Sequence, residues 1–261
     1  PGAVLAPSRI RMVNESAYER IPQHINDTHN QEHQSSHTRL QPIHIGVVEN
    51  SGEVLEWNDI KVGQQVISEN WNLTPGQKVN LFTYTNADEV ELLINGKSVG
   101  TQKNDRSTVE KRNIIYWQGV DYGNGGTVVA IAKNGGKEVA RHQLATTGKP
   151  VALKIVAETP NDWKGDGMDL QYLTVYAVDS KGRRVPNATG EVTIDITGEA
   201  RLYAVDNGDH YTNEVFVFGN TRTMTQGFVQ AIVRSTRTPG KVTIKATAKG
   251  MKTAQLKLET K

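Results

Sequence analysis

From residue 43 onward, apolar residues recur at every second position in short runs cut by glycine, asparagine and proline. Ile43, Ile45 and Val47 alternate with polar or small neighbours, and Val54-Leu55 and Val66-Ile67 are brief apolar pieces between polar turns. From residue 79 the alternation is clear: Val79, Leu81, Thr83 and Thr85 point one way, Asn80, Phe82 and Tyr84 the other. A period of two predicts strands, because successive side chains leave a strand on opposite faces. Val90 to Ile94 and Ser98 to Thr101 flank Asn95-Gly96, the strongest short hairpin signal, since both central residues of a type I′ turn need positive φ. Arg112 to Trp117, Thr127 to Lys133 and Glu138 to Ala145 continue the series, with Asn134-Gly135-Gly136 as a second hairpin turn.

The small, polar stretch Thr146 to Pro150 reads as a domain boundary, with Pro150 favouring an extended chain before it. A second run of strands follows: Val151 to Ala157, Leu170 to Val178, Glu191 to Ile196, Arg201 to Val205, Glu214 to Phe218, Phe228 to Arg234, Lys241 to Ala248 and Gln255 to Glu259. Seven or eight short strands with regularly spaced turn signals predict a sandwich. No strand–helix–strand alternation appears, which excludes a parallel sheet or a (β/α)8 barrel within the chain. The fold class is therefore all-β: two immunoglobulin-like β-sandwich domains in tandem, over 43–148 and 149–261. Residues 1–42 differ, being polar, rich in His, Gln, Asn and Ser, and without a sustained period. They are expected to form an irregular segment or connector.

Composition agrees. A hydrophobic content of 36% and a mean hydropathy of −0.51 suffice for thin sandwich cores but are low for one large core. Cysteine is absent, so the domains rely on packing. A net charge of +2, with no basic stripe among aromatics, argues against nucleic acid as a partner. No apolar run is long enough to span a membrane. The chain begins Pro1-Gly2 without Met or a leader, and is read as a piece of a longer polypeptide.

Trp71-Asn72, Thr74 to Val79, Tyr84 to Leu92 and Asn95-Gly96-Lys97 together resemble the Ig-like domain that follows the catalytic barrel in bacterial β-galactosidases of glycoside hydrolase family two. The second half resembles that family's C-terminal Ig-like domain, through Ala177-Val178-Asp179, Pro186-Asn187-Ala188, Asp206 to Asp209 and Gly227 to Arg234. The match covers residues 66–261, and Asn86 to Leu92 is its distinctive stretch. It implies a non-catalytic C-terminal accessory region of a β-galactosidase-like enzyme, bracing the parent chain's catalytic barrel. It transfers no catalytic residue, because the family's two catalytic glutamates sit in the barrel. It implies no cofactor and favours a periplasmic or secreted setting. A free-standing carbohydrate-binding module and a cell-surface spacer stay open as alternatives, as does the oligomeric state.

Glycoside cleavage needs two carboxyl groups facing one bond. Asp88, Glu89, Glu91, Asp206 and Asp209 are read instead as turn and strand-surface residues. The candidates for carbohydrate contact are Trp117, with Asp121 and Tyr122 in the loop after it, and Trp163 in the polar loop Asn161 to Asp166. Aromatic rings cover the apolar face of a sugar while nearby polar groups bond its hydroxyls. Trp71 is expected in the core. Five of the seven histidines cluster at His24, His29, His33, His37 and His44. The i, i+4, i+8 spacing of His29, His33 and His37 would align them on one helix face and makes them metal candidates, against the plainer reading of a polar surface segment. Asp206 to His210 offers too few oxygens for Ca²⁺ and reads as a turn. Lys181 to Arg184 reads as a solvated basic turn.

Overall fold

The computed structural model describes residues 43–57, 60–109, 111–209, 212–215, 217 and 219–261, with the backbone alone over 50–66. The expected irregular segment 1–42, with His24, His29, His33 and His37, lies outside the described residues. Among these there are sixteen strands and no helix, and every strand pairing is antiparallel. The chain divides into two compact units between Thr146 and Thr147.

The first unit contains β1 (Ile43–Trp57), β2 (Ile60–Ser68), β3 (Lys78–Thr85), β4 (Glu89–Ile94), β5 (Lys97–Lys103), β6 (Ile114–Asp121), β7 (Thr127–Asn134) and β8 (Lys137–Ala145). They form two sheets, β2-β1-β3-β6 and β5-β4-β7-β8. Alternation on β3 buries Val79, Leu81 and Thr83, as its sequence pattern predicts. Ile45, Val47, Leu92, Val128 and Ala130 join them in the core. Each fully buried Val, Leu or Ile contributes about 1.5–3 kcal/mol of transfer free energy. Where the sequence shows only brief apolar pieces, β1 and β2 form one long hairpin. Its register shifts between Val48 and Asn50 and between Ser51 and Val54, which breaks the period of two.

The turn at Asn95-Gly96 has φ of 50° and 79°, the positive pair expected of a type I′ hairpin joining β4 to β5. Asn95 also ties this turn to β7. Its Oδ1 accepts from Thr127 N–H at 2.8 Å, and its Nδ2 donates to the Gly125 carbonyl at 3.0 Å. Gly126, at φ 114°, lies so close that any Cβ there would strike the Asn95 carboxamide.

The second unit contains β9 (Ala152–Ala157), β10 (Leu170–Val178), β11 (Glu191–Gly198), β12 (Ala200–Asp206), β13 (Thr221–Thr223), β14 (Phe228–Ser235), β15 (Gly240–Ala248) and β16 (Ala254–Thr260). Its sheets are β12-β14-β10-β9 and β13-β11-β15-β16, closed on Leu173, Val175, Ile194, Val229, Val233 and Ile244. The strand expected over Glu214 to Phe218 does not form at 214, 215 or 217; the short β13 takes the edge beside β11. Val215 and Val217 imitate strand alternation but have no core to enter and are 56% and 49% exposed. Glu214 instead accepts from the Thr223 hydroxyl at 3.0 Å and lies 3.7 Å from the buried Arg222.

Asp179 organises the start of this unit. Its buried carboxylate accepts from the N–H groups of Gly148, Lys181 and Arg183 and from the Arg183 guanidinium, at 2.7–3.0 Å. Burial alone would raise its pKa. The converging N–H groups and the guanidinium outweigh burial and hold it well below the usual carboxylate range.

Candidate functional site

Three of the four residues expected to meet carbohydrate are core residues. Trp117 lies on the inner face of β6, and its Nε1 donates to Thr83 Oγ1 at 3.0 Å. Tyr122 is buried edge-on against Trp71, with ring centroids 5.1 Å apart, and its hydroxyl bonds Thr146 Oγ1 at 2.8 Å. Trp163 is 1% exposed. The polar residues of its loop fold back on themselves: Asp166 accepts from the N–H groups of Met168 and Asp169, and Asp169 from that of Lys164. This drives the indole into the core, with Nε1 directed at the Asp169 carbonyl at 3.3 Å. These rings have no free face for a sugar, which corrects the expectation of a contact surface. Asp121 is exposed, but it shapes its own turn by accepting from Gly123 N–H at 2.8 Å. Trp71 is buried, as expected.

Two carboxylates near the first hairpin are held by cations. Glu91 receives Lys133 Nζ at 2.6 Å, and Asp88 pairs with Arg106 at 3.1 Å. Hydrogen bonding from Lys133 lowers the pKa of Glu91, the opposite of what a general acid needs. Asp206 and Asn207 spend their oxygens on the turn, accepting from the N–H groups of Asn207, Gly208 and Asp209. An open groove of about 570 Å³ lies along Ile194, Ile196, Ala200 and Leu202. Its lining holds one carboxylate, Asp195, bonded by Asn220 at 3.0 Å, and so no acid–base pair.

The basic turn is more than solvated surface. Arg183 pairs with Asp179, and the Arg184 guanidinium lies 5.2 Å and 5.3 Å from the ring centroids of Tyr176 and Phe228, in cation–π range.

Sequence reasoning missed one polar cluster. His142 occupies an inward position of β8, between Ala140 and Leu144 in the alternation. His44 of β1 lies beside it, with ring centroids 4.8 Å apart, and Glu69 follows β2. Glu69 Oε1 is 3.6 Å from His44 Nδ1 and 3.7 Å from His142 Nε2. Two imidazoles and a carboxylate are a donor set that Zn²⁺ uses, and the three ligand atoms lie within 4.8 Å of one another. One hydrogen bond opposes that use. Ile45 N–H donates to His142 Nδ1 at 3.1 Å, which places the ring proton on Nε2, the nitrogen a metal would need. A ligating histidine ordinarily donates from its other nitrogen; His142 accepts there. As folded, the cluster is a close group of two imidazoles and a carboxylate in which His142 is tied to the backbone of β1. Burial, followed by the neighbouring His44, lowers the His142 pKa to about 4, against a smaller upward push from Glu69.

Residues 153–257 match the model for the glycoside hydrolase family 2 C-terminal domain 5. Over these residues the chain carries a C-terminal domain of glycoside hydrolase family 2. Residues 76–140 match a second model, described as a domain of unknown function (DUF4982). Among curated proteins, the chain is 34% identical over 204 residues to the beta-galactosidase BoGH2A of Bacteroides ovatus, covering 78% of this chain and 23% of that protein. It is 32% identical over 194 residues to a beta-glucuronidase of Formosa agariphila, covering 72% and 19%. A solved glycosyl hydrolase family 2 member from Bacteroides cellulosilyticus superposes with a TM-score of 0.69 at 29% identity, over 85% of this chain and 28% of that one. A solved family 2 beta-glucuronidase gives 0.62 at 28% identity, over 85% and 20%. The chain thus spans about a quarter or less of the length of the curated relatives it matches. The two units contain no (β/α)8 barrel among the described residues.

Proposed function

We propose that these two sandwiches are a non-catalytic accessory region of a larger glycoside hydrolase family 2 enzyme, acting on β-galactosides or β-glucuronides, and that they brace its catalytic barrel. The observation that carries this reading is coverage. The relatives named as β-galactosidase and β-glucuronidase share these domains, which account for 23% and 19% of their lengths. Two further observations support it. Asp88, Glu91 and Asp195 are held by Arg106, Lys133 and Asn220, which leaves none of the three free to protonate a leaving group or activate a nucleophile. The rings of Trp117, Tyr122 and Trp163 lie inside the cores, although Tyr116, Tyr172 and Tyr203 are exposed. The share of the relatives' length favours an accessory role beside a barrel over a free-standing carbohydrate-binding module.

Purified chain incubated with nitrophenyl β-galactoside and nitrophenyl β-glucuronide tests the non-catalytic part. No release of nitrophenol above buffer is expected. Release that disappears when a carboxylate of this chain is replaced would defeat the proposal.

A further inference from the structure

The edge of the first sandwich holds an arrangement that a merely structural histidine does not require. The second edge of β1 is paired by β2 only from Val47 onward, where Val47 faces Ser68. At Ile45 the strand's other side already pairs with β3, opposite Thr83. The outward N–H of Ile45 therefore lies beyond the end of β2, in a residue with no solvent exposure. Such a buried donor must find a partner. It finds the Nδ1 atom of His142, a residue 97 positions away on the opposite sheet. One imidazole thus closes the seam between β1 and β8.

We propose that this closure is an acid-sensitive clasp: His142 holds β1 to β8 only while its ring is neutral. The chemistry is that of a single atom. A neutral imidazole with its proton on Nε2 offers a lone pair at Nδ1; an imidazolium carries hydrogen on both nitrogens and accepts nothing. Protonation turns Nδ1 into a donor facing a second donor, and the Ile45 hydrogen bond is lost.

The surroundings set the direction of the response. On β1, His44 stands 4.8 Å from the His142 ring and disfavours a second positive charge. After β2, Glu69 at 3.7 Å favours it. On β3, Tyr84 stacks on His44, with centroids 6.3 Å apart. On β7 the residue paired with His142 is Ala130, and on β8 its same-face neighbours are Ala140 and Leu144. The charged Arg141 projects outward and pairs with Glu138. Among the described residues Glu69 is the anion against the ring, and burial and His44 outweigh it, so the neutral ring persists until the solution is well below the ordinary imidazole range.

The test is a pH titration of the full chain, from 7.5 to 3.5, read by nitrogen-15 spectra of the backbone amides and of the histidine rings. The expected result has three parts. At neutral pH His142 shows the Nε2–H tautomer. The Ile45 amide moves with the His142 midpoint, and its hydrogen exchange, corrected for the intrinsic rate, quickens about tenfold or more as that midpoint is crossed. Zn²⁺ added at pH 7.5 leaves the Ile45 amide in place. In His142→Asn the Oδ1 atom falls near the Nδ1 position, so this variant should hold the Ile45 bond and lose its pH dependence. Should that variant not fold, the wild-type ring and amide signals decide alone. An Nδ1–H tautomer at neutral pH, or an Ile45 amide that ignores the titration of His142, would overturn the proposal. So would a Zn²⁺-induced shift of Ile45, because metal on Nε2 requires the proton on Nδ1.

Discussion

Replacing Trp163 with alanine separates the core role found for this residue from the sugar contact its loop suggested. The indole is 1% exposed and packed among the central residues of the second sandwich. Removing so large a buried side chain costs about 3–5 kcal/mol, as lost transfer free energy plus the cavity left behind. The unit from Thr147 to Lys261 has about 115 residues. At about 2.1 cal/mol/K per residue its unfolding entropy is ~0.24 kcal/mol/K, so the midpoint should fall by about 12–21 °C. Trp163→Phe keeps most of the packing and loses the bond to the Asp169 carbonyl, costing about 1–2 kcal/mol and about 4–8 °C. Scanning calorimetry of the full chain gives both shifts, with the affected transition assigned by melting residues 147–261 separately. The reasoning fails if Trp163→Ala melts within about 3 °C of wild type, above all if the variant instead changes binding to a glycan panel.

Three further outcomes follow from single positions. Gly96→Val should lower the stability of the first unit by about 1–3 kcal/mol, because φ of 79° strains a β-branched residue although the space beside it is open; an unchanged denaturation midpoint would contradict the turn geometry. Asp179 has a depressed folded pKa, so its stabilisation is present above the ordinary carboxylate value and disappears as pH falls below about 3.8 towards the folded value. Asp179→Asn should therefore melt lower at pH 7 and show a flatter acid limb; parallel acid limbs for the two proteins would count against this. Arg222→Ala should cost about 2–4 kcal/mol, since it empties a buried site and removes the bond from Nε to the Val205 carbonyl, and a urea midpoint equal to wild type would show that the guanidinium is dispensable.

Strands that carry no extra residue of their own could be read from the sequence, even where the partner strand bulges, as β6, β8 and β12 do. On β3, β7 and β14 every second residue enters a core, and the alternation of apolar residues states as much. The turns at Asn95-Gly96 and Gly135-Gly136 were equally legible, because positive φ restricts which residues can stand there. The β1–β2 hairpin was not, since both of its register shifts add a residue to β1 and destroy the period that marks that strand. Val215 and Val217 show the converse: they alternate without a core to face. Trp163 misled for a related reason. An irregular loop can deliver a side chain to a core through its own hydrogen bonds, and no periodicity records this. The His44–Glu69–His142 cluster joins residues far apart in sequence. The single available signal was a histidine at an inward position of β8, between Ala140 and Leu144.

In the proposed role these domains support a catalytic barrel without performing its chemistry. The most direct measurement removes them from a longer family 2 chain in which they occur. The intact enzyme and a version ending before the residue equivalent to Ile43 would be compared for turnover at 25 °C and for the half-life of that turnover at rising temperature. The shortened enzyme should keep measurable hydrolysis of its glycoside but inactivate several-fold faster on heating, and residues 43–261 alone should hydrolyse nothing. A shortened enzyme with unchanged heat stability, or glycoside turnover by residues 43–261 alone, would contradict the proposed role.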